Sequence, residues 1–136
     1  NKGLDNVYRA LVDLEIDALV SIGGDGTLRT ANCLTRYQDE MESLEKRVRI
    51  VHVPKTIDND IYGTELTICY TTALRIGTMS LDRLHSTGDS HHRVMICELM
   101  GSNAGCLTLA SGLASGSDVI LIPEIPFDIE KICEFV

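Results

Sequence analysis

Apolar residues recur at 4, 7, 8, 11 and 14, the spacing of one helical face, and the chain then passes into a short β-branched run at 18–22. After a glycine-rich turn, Leu28, Ala31, Asn32, Leu34 and Thr35 fit a helix starting near Thr27, followed by a charged surface stretch at 38–46 and a second apolar run at 49–53. Leu66, Tyr70, Ala73, Gly77, Leu81 and Leu84 mark one face of a long helix that opens near Thr64 and Glu65 and ends at 87–90. A third strand is expected over 93–99, a helix over 106–114, and a fourth strand over 118–122. Pro126 and Asp128 then open a last helix.

This alternation of strand and helix predicts an α/β chain: a doubly wound, mostly parallel sheet with helices on both faces, Rossmann-like in layout. Each of the first two strands is followed by glycine, proline or acidic residues, so two polar turns sit at carboxyl ends of strands. In open α/β sheets that edge is where ligands bind.

Composition narrows the function classes. The 136 residues are 44% hydrophobic, enough for about one globular domain. A net charge of −8 argues against nonspecific nucleic-acid binding or a membrane-surface role, since both favour clustered Lys and Arg. No apolar run approaches the roughly 20 residues that span a bilayer, and no charged-then-apolar leader opens the sequence, so a cytoplasmic location is expected. Cys33, Cys69, Cys97, Cys106 and Cys133 are odd in number and widely spaced, and are expected to be small buried hydrophobes in a reducing compartment. His91 and His92 match no zinc-ligand spacing. The chain begins and ends in helical pattern without boundary composition, as a piece of a larger protein would.

Two turns carry the chemistry. In Gly23-Gly24-Asp25-Gly26-Thr27, glycines let backbone approach a phosphate, amides at a helix start favour anions, and Asp25 can hold Mg²⁺ against phosphate oxygens, with the Thr27 hydroxyl beside it. In Pro54-Lys55-Thr56-Ile57-Asp58-Asn59-Asp60, an extended backbone would put Thr56, Asp58 and Asp60 on one side, where a carboxylate could take a proton from an alcohol. Together with Lys55 these supply a base, a metal ligand and cationic or amide stabilisation, the protein's share of a phosphoryl-transfer site.

In this order and spacing the two motifs resemble those of the phosphofructokinase family. The likeness continues through Ser90-His91-His92-Arg93, Met100-Gly101, Ala110-Ser111-Gly112 and the run from Val119 to Glu124, and so covers essentially the whole chain. The resemblance implies a central segment, residues 1–136, of a 6-phosphofructokinase catalytic region, with further parts on either side and little activity by itself. It implies that Gly23, Gly24, Asp25, Gly26 and Thr27 meet the phosphoryl donor, with Mg²⁺ on Asp25. Thr56, Ile57 and Asp58 would meet fructose 6-phosphate, Asp58 being the base for its 1-hydroxyl. Lys55 and Asp60 would serve the same catalytic loop, and Met100, Gly101 and Ser102 would lie along the sugar phosphate. Arg93 resembles the arginine that reaches the 6-phosphate across a subunit interface, which implies a homo-oligomer with shared active sites.

The donor is expected to be ATP. In the family a glycine at position 26 usually accompanies ATP and an aspartate there usually accompanies pyrophosphate, because a carboxylate would crowd and repel the α-phosphate. Lys55 points the other way, being common in pyrophosphate-dependent members, so pyrophosphate is the alternative donor. Ser102 stands where the family usually has arginine, and a hydroxyl cannot replace that charge. A catalytically weak or silent regulatory subunit of the same fold is therefore the other alternative.

Overall fold

The computed structural model describes residues 2–41 and 45–136, in two compact units, Asn1–Lys55 and Thr56–Val136.

In the first unit, helix α1 (Lys2–Asp13) leads into strand β1 (Ala18–Gly23), helix α2 (Asp25–Asp39) and strand β2 (Arg49–Thr56), whose last residue crosses into the second unit. Strands β1 and β2 are parallel, in register from Ala18 opposite Arg49 to Gly23 opposite Pro54. Strand β1 thus ends at Gly23 opposite Pro54, and β2 continues through Pro54 and Lys55 to Thr56, past the strand end expected at Val53, because the ladder with β1 already includes Pro54. Helix α2 packs on β1, and α1 packs on α2.

The core of this unit holds Tyr8, Ala31, Leu34 and Val48. The Tyr8 hydroxyl donates to the Lys46 carbonyl at 2.8 Å, and its ring meets Tyr37 edge-on, centroids 6.2 Å apart. Gln38, expected on the surface, is only 2% exposed. Its amide lies on the buried side of α2 and pairs with the backbone of Val48, which would otherwise strand two polar groups.

The second unit contains a two-residue strand β3 (Ile68–Cys69), helix α3 (Tyr70–His91), helix α4 (Cys106–Ser115) and helix α5 (Ile129–Phe135). Helices α3 and α4 pack against each other where Gly77 admits the fully buried Ser111 side chain. The Tyr70 hydroxyl ties the start of α3 to the Cys106 carbonyl at 3.3 Å.

Several boundaries differ from expectation. Helix α3 starts at Tyr70, because Thr67 and Cys69 are committed to a turn and Cys69 takes a left-handed backbone, φ 82°. It ends at His91, capped by His92 in the same left-handed region. Helix α2 starts two residues early, at Asp25. Residues 93–99 and 118–122 form no strand among the described residues, since neither finds a ladder partner. Residues 93–99 instead lie along α3, with Met95 near Gly88 and Leu99 near Gly77. Ile120 and Ile122 lie against Gly112 and Gly105, on and just before α4. All five cysteines are free thiols, but Cys33, Cys69, Cys106 and Cys133 are exposed and Cys97 is half-buried. No helix among the described residues is long and apolar enough to cross a membrane.

Candidate active site

The glycine turn joins β1 to α2. Gly23 is buried, and a Cβ there would collide with the side chain of Thr27, which folds back over the strand end. Gly24 is the N-cap of α2 in extended backbone and supplies no side-chain cap, although its carbonyl accepts the Leu28 N–H at 3.0 Å. The first amides of α2 therefore lack intrahelical partners and, with the helix dipole, favour an anion.

Asp25 stands in the first turn of α2, half-exposed, with Oδ2 2.7 Å from Arg29 Nε. Gly26 follows with nothing within 4 Å of where its Cβ would lie. Among the described residues no group of three or more His, Cys, Asp or Glu side chains gathers to cage a metal. One accessible carboxylate nevertheless suits Mg²⁺, which is commonly held by one or two carboxylates together with substrate phosphates, and the unpaired amides suit the phosphates. The residues present fit that ion in company with a phosphate.

Lys55 closes the first unit, and the second unit carries the rest of the acidic motif. Lys55, at the end of β2, is exposed and forms no ion pair among the described residues. Thr56 Oγ1 accepts the Asp58 N–H at 3.1 Å, and Asn59 has a left-handed backbone, φ 53°. The segment is thus a closed turn, which removes the common side expected for Thr56, Asp58 and Asp60 on an extended backbone. Ile57 is half-buried, while Asp60 is exposed.

Asp58 is brought to the Met100-Gly101-Ser102 turn. A Cβ on Gly101 would lie 3.7 Å from Asp58 Oδ1 and would also strike the Ala104 carbonyl. With φ 117°, Gly101 is held in a backbone that L side chains rarely adopt, so the carboxylate faces bare main chain. Asp58 Oδ1 is buried and has no hydrogen-bond partner among the described residues. A carboxylate oxygen so placed is desolvated without a compensating protein donor among the described residues. Met100 and Ser102 are exposed beside it. Beyond this turn, Glu124 Oε1 accepts the Gly105 N–H at 2.7 Å, fixing the entry to α4.

Arg93 is not joined to this cluster. It is exposed just after the end of α3, where its N–H bonds the Gly88 carbonyl at 3.1 Å. Two residues that shape the acidic turn carried no assigned role: Asn59 sits within the motif and gave a weak signal through its tolerance of left-handed backbone, whereas Thr67 gave none.

Comparison with known proteins agrees with these observations. The family model described as Phosphofructokinase matches residues 1–136. The chain is 53% identical over 121 residues to ATP-dependent 6-phosphofructokinase 2 of Clostridium perfringens, covering 89% of this chain and 31% of that protein. It is 49% identical over 134 residues to ATP-dependent 6-phosphofructokinase of Mycobacterium tuberculosis, covering 98% of this chain and 36% of that one. Among solved structures, a pyrophosphate-dependent phosphofructokinase from Marinobacter aquaeolei superposes with a TM-score of 0.82 at 27% identity, over 98% of this chain and 36% of that chain. The chain spans about a third of the length of the curated relatives it matches.

Proposed function

Since this chain belongs to the phosphofructokinase family, we propose that the protein containing it transfers a phosphoryl group from ATP to the 1-hydroxyl of fructose 6-phosphate, giving fructose 1,6-bisphosphate in glycolysis. The chain is the central part of that enzyme, contributing the donor turn and part of the sugar-phosphate site.

The observation that carries this reading is Asp58. Its Oδ1 is buried, has no hydrogen-bond partner among the described residues and faces the bare backbone of Gly101. It is a carboxylate that no protein donor among the described residues engages, so with Oδ1 packed against the turn the other oxygen is left to take the proton of a substrate hydroxyl, where the exposed Met100 and Ser102 suit a sugar phosphate. Thr56 holds the Asp58 amide, Ile57 precedes the base, Asp60 follows two residues later, and Lys55 offers positive charge to the phosphates.

Gly24, Asp25, Gly26 and Thr27 take the donor, with the amides at the start of α2 on its phosphates. Asp25 would hold Mg²⁺, which when bound supplies charge neutralisation to the phosphoryl group. The open space at Gly26 supports ATP, since a nucleotide α-phosphate needs that room. Arg93 is exposed and free to reach a neighbouring copy, as a homo-oligomer with shared sites requires.

The test is Asp58→Asn in the full-length protein, with ATP and pyrophosphate compared as donors. Turnover should fall at least about 100-fold while fructose 6-phosphate still binds, consistent with loss of a general base. Unchanged turnover would overturn the assignment of the base, and preference for pyrophosphate would overturn that of the donor.

A further inference from the structure

Asp58 is held without using its own carboxylate. Its N–H bonds Thr56 Oγ1 at 3.1 Å, and Thr56 and Asn59, which bracket the Ile57-Asp58 pair, are both tied to Thr67, eleven positions after Thr56. Thr67 Oγ1 donates to the Thr56 carbonyl at 2.7 Å and lies 3.1 Å from Asn59 Oδ1, which also accepts the Thr67 N–H at 2.8 Å. Asn59 Nδ2 in turn donates to the Glu65 carbonyl at 3.1 Å. Thr67 is 3% exposed, so water cannot readily replace its hydroxyl.

We propose that Thr67 is a positioning residue for phosphoryl transfer: by clamping Thr56 and Asn59 it fixes the backbone on both sides of Asp58. This rests on the reading of Asp58 as the base. A base oriented through a hydrogen bond to its own carboxylate would lose part of the acceptor capacity it needs for the substrate. Here the orientation comes through the main chain of Asp58, and among the described residues no protein donor is spent on its carboxylate. The left-handed backbone at Asn59 costs conformational energy that its side-chain bonds to 65 and 67 offset, so the ring of bonds works as one unit.

Thr67→Val keeps the shape and removes the donor. In the full-length enzyme, kcat should fall about 10- to 100-fold, as expected when a reacting group is displaced, with KM for either substrate within about twofold. Thr67→Ser, which keeps the hydroxyl, should restore kcat to within about threefold of the parent. The decisive comparison is made in the Asp58→Asn background. With no base to position, adding Thr67→Val should leave the residual rate unchanged, whereas damage to general structure would multiply through. If the valine protein does not fold, Thr67→Cys, a weaker donor of similar size, takes its place in both backgrounds. A parental kcat in the donor-poor variant, failure of serine to rescue, or an undiminished loss on top of Asp58→Asn would overturn the proposal. Parental turnover in Asp58→Asn alone would instead overturn the reading of the base.

Discussion

Asp25 and Arg29 form an ion pair one turn apart on α2, Oδ2 to Nε at 2.7 Å, so the carboxylate assigned to Mg²⁺ already has a cationic partner. Arg29 is 77% exposed on its side chain and Asp25 46%, and water screens the pair, so it is worth only a few tenths of a kcal/mol. A metal ion can therefore displace the guanidinium at small cost. Arg29→Gln should lower the Mg²⁺ concentration for half-maximal activity by about twofold, the factor corresponding to such a pair. Magnesium titration of activity checks this, and a higher requirement would show that Arg29 assists binding.

Gly26→Asp separates fold from donor choice. The site has open space for the new Cβ and an ordinary negative φ, and an acid in the first turn of a helix is favourable. Stability by thermal melt should be unchanged or slightly raised. ATP-dependent kcat/KM should nevertheless fall at least about tenfold, because the new carboxylate repels an α-phosphate at short range. Undiminished ATP turnover would remove Gly26 from the account of donor selection.

Gln38 should be more costly to alter than its place on a polar stretch suggests. Its Oε1 accepts the Val48 N–H at 2.9 Å and its Nε2 donates to the Val48 carbonyl at 3.2 Å, in a site where both residues are 2% exposed. Gln38→Leu leaves both backbone groups unpaired and should destabilise by about 2–4 kcal/mol. Gln38→Glu should retain the bond to the N–H and lose the other. Denaturant unfolding of the two variants distinguishes them.

Acid stability should depend on Asp5. Hydrogen bonds from Arg9 and then Tyr37 hold its carboxyl below the ordinary value of 3.8. A depressed folded-state value means that the unfolded chain binds the proton first. The stabilisation is complete above the unfolded value and is lost as pH falls from there through the folded value. Asp5→Asn should therefore be less stable at neutral pH and lose less on acidification. Unfolding midpoints from about pH 6 down to about pH 2.5 test the sign, and parallel curves for both proteins would contradict it.

The chain's local chemistry determined the order of its first elements and the location of both turns. Two short apolar β-branched runs, each leading into a glycine- or proline-containing polar motif, made 18–22 and 49–53 legible as strands, although β2 runs on through Pro54 to Thr56 because its ladder with β1 includes Pro54. The motif residues themselves were legible for the same reason. Tertiary structure decided what depends on remote partners. Whether 93–99 or 118–122 pairs as a strand depends on a neighbouring ladder, and the side chains there lie against α3 and α4 or its entry turn instead. Burial of Gln38 followed from the position of Val48, and exposure of the cysteines from which side of each element its neighbours cover. The turn at Asp58 depended on Thr67, eleven residues beyond Thr56, whose hydroxyl reads in sequence as an ordinary polar group. Periodicity and turn chemistry are properties of adjacent residues, whereas a hydrogen bond between distant ones exists only once the chain has folded.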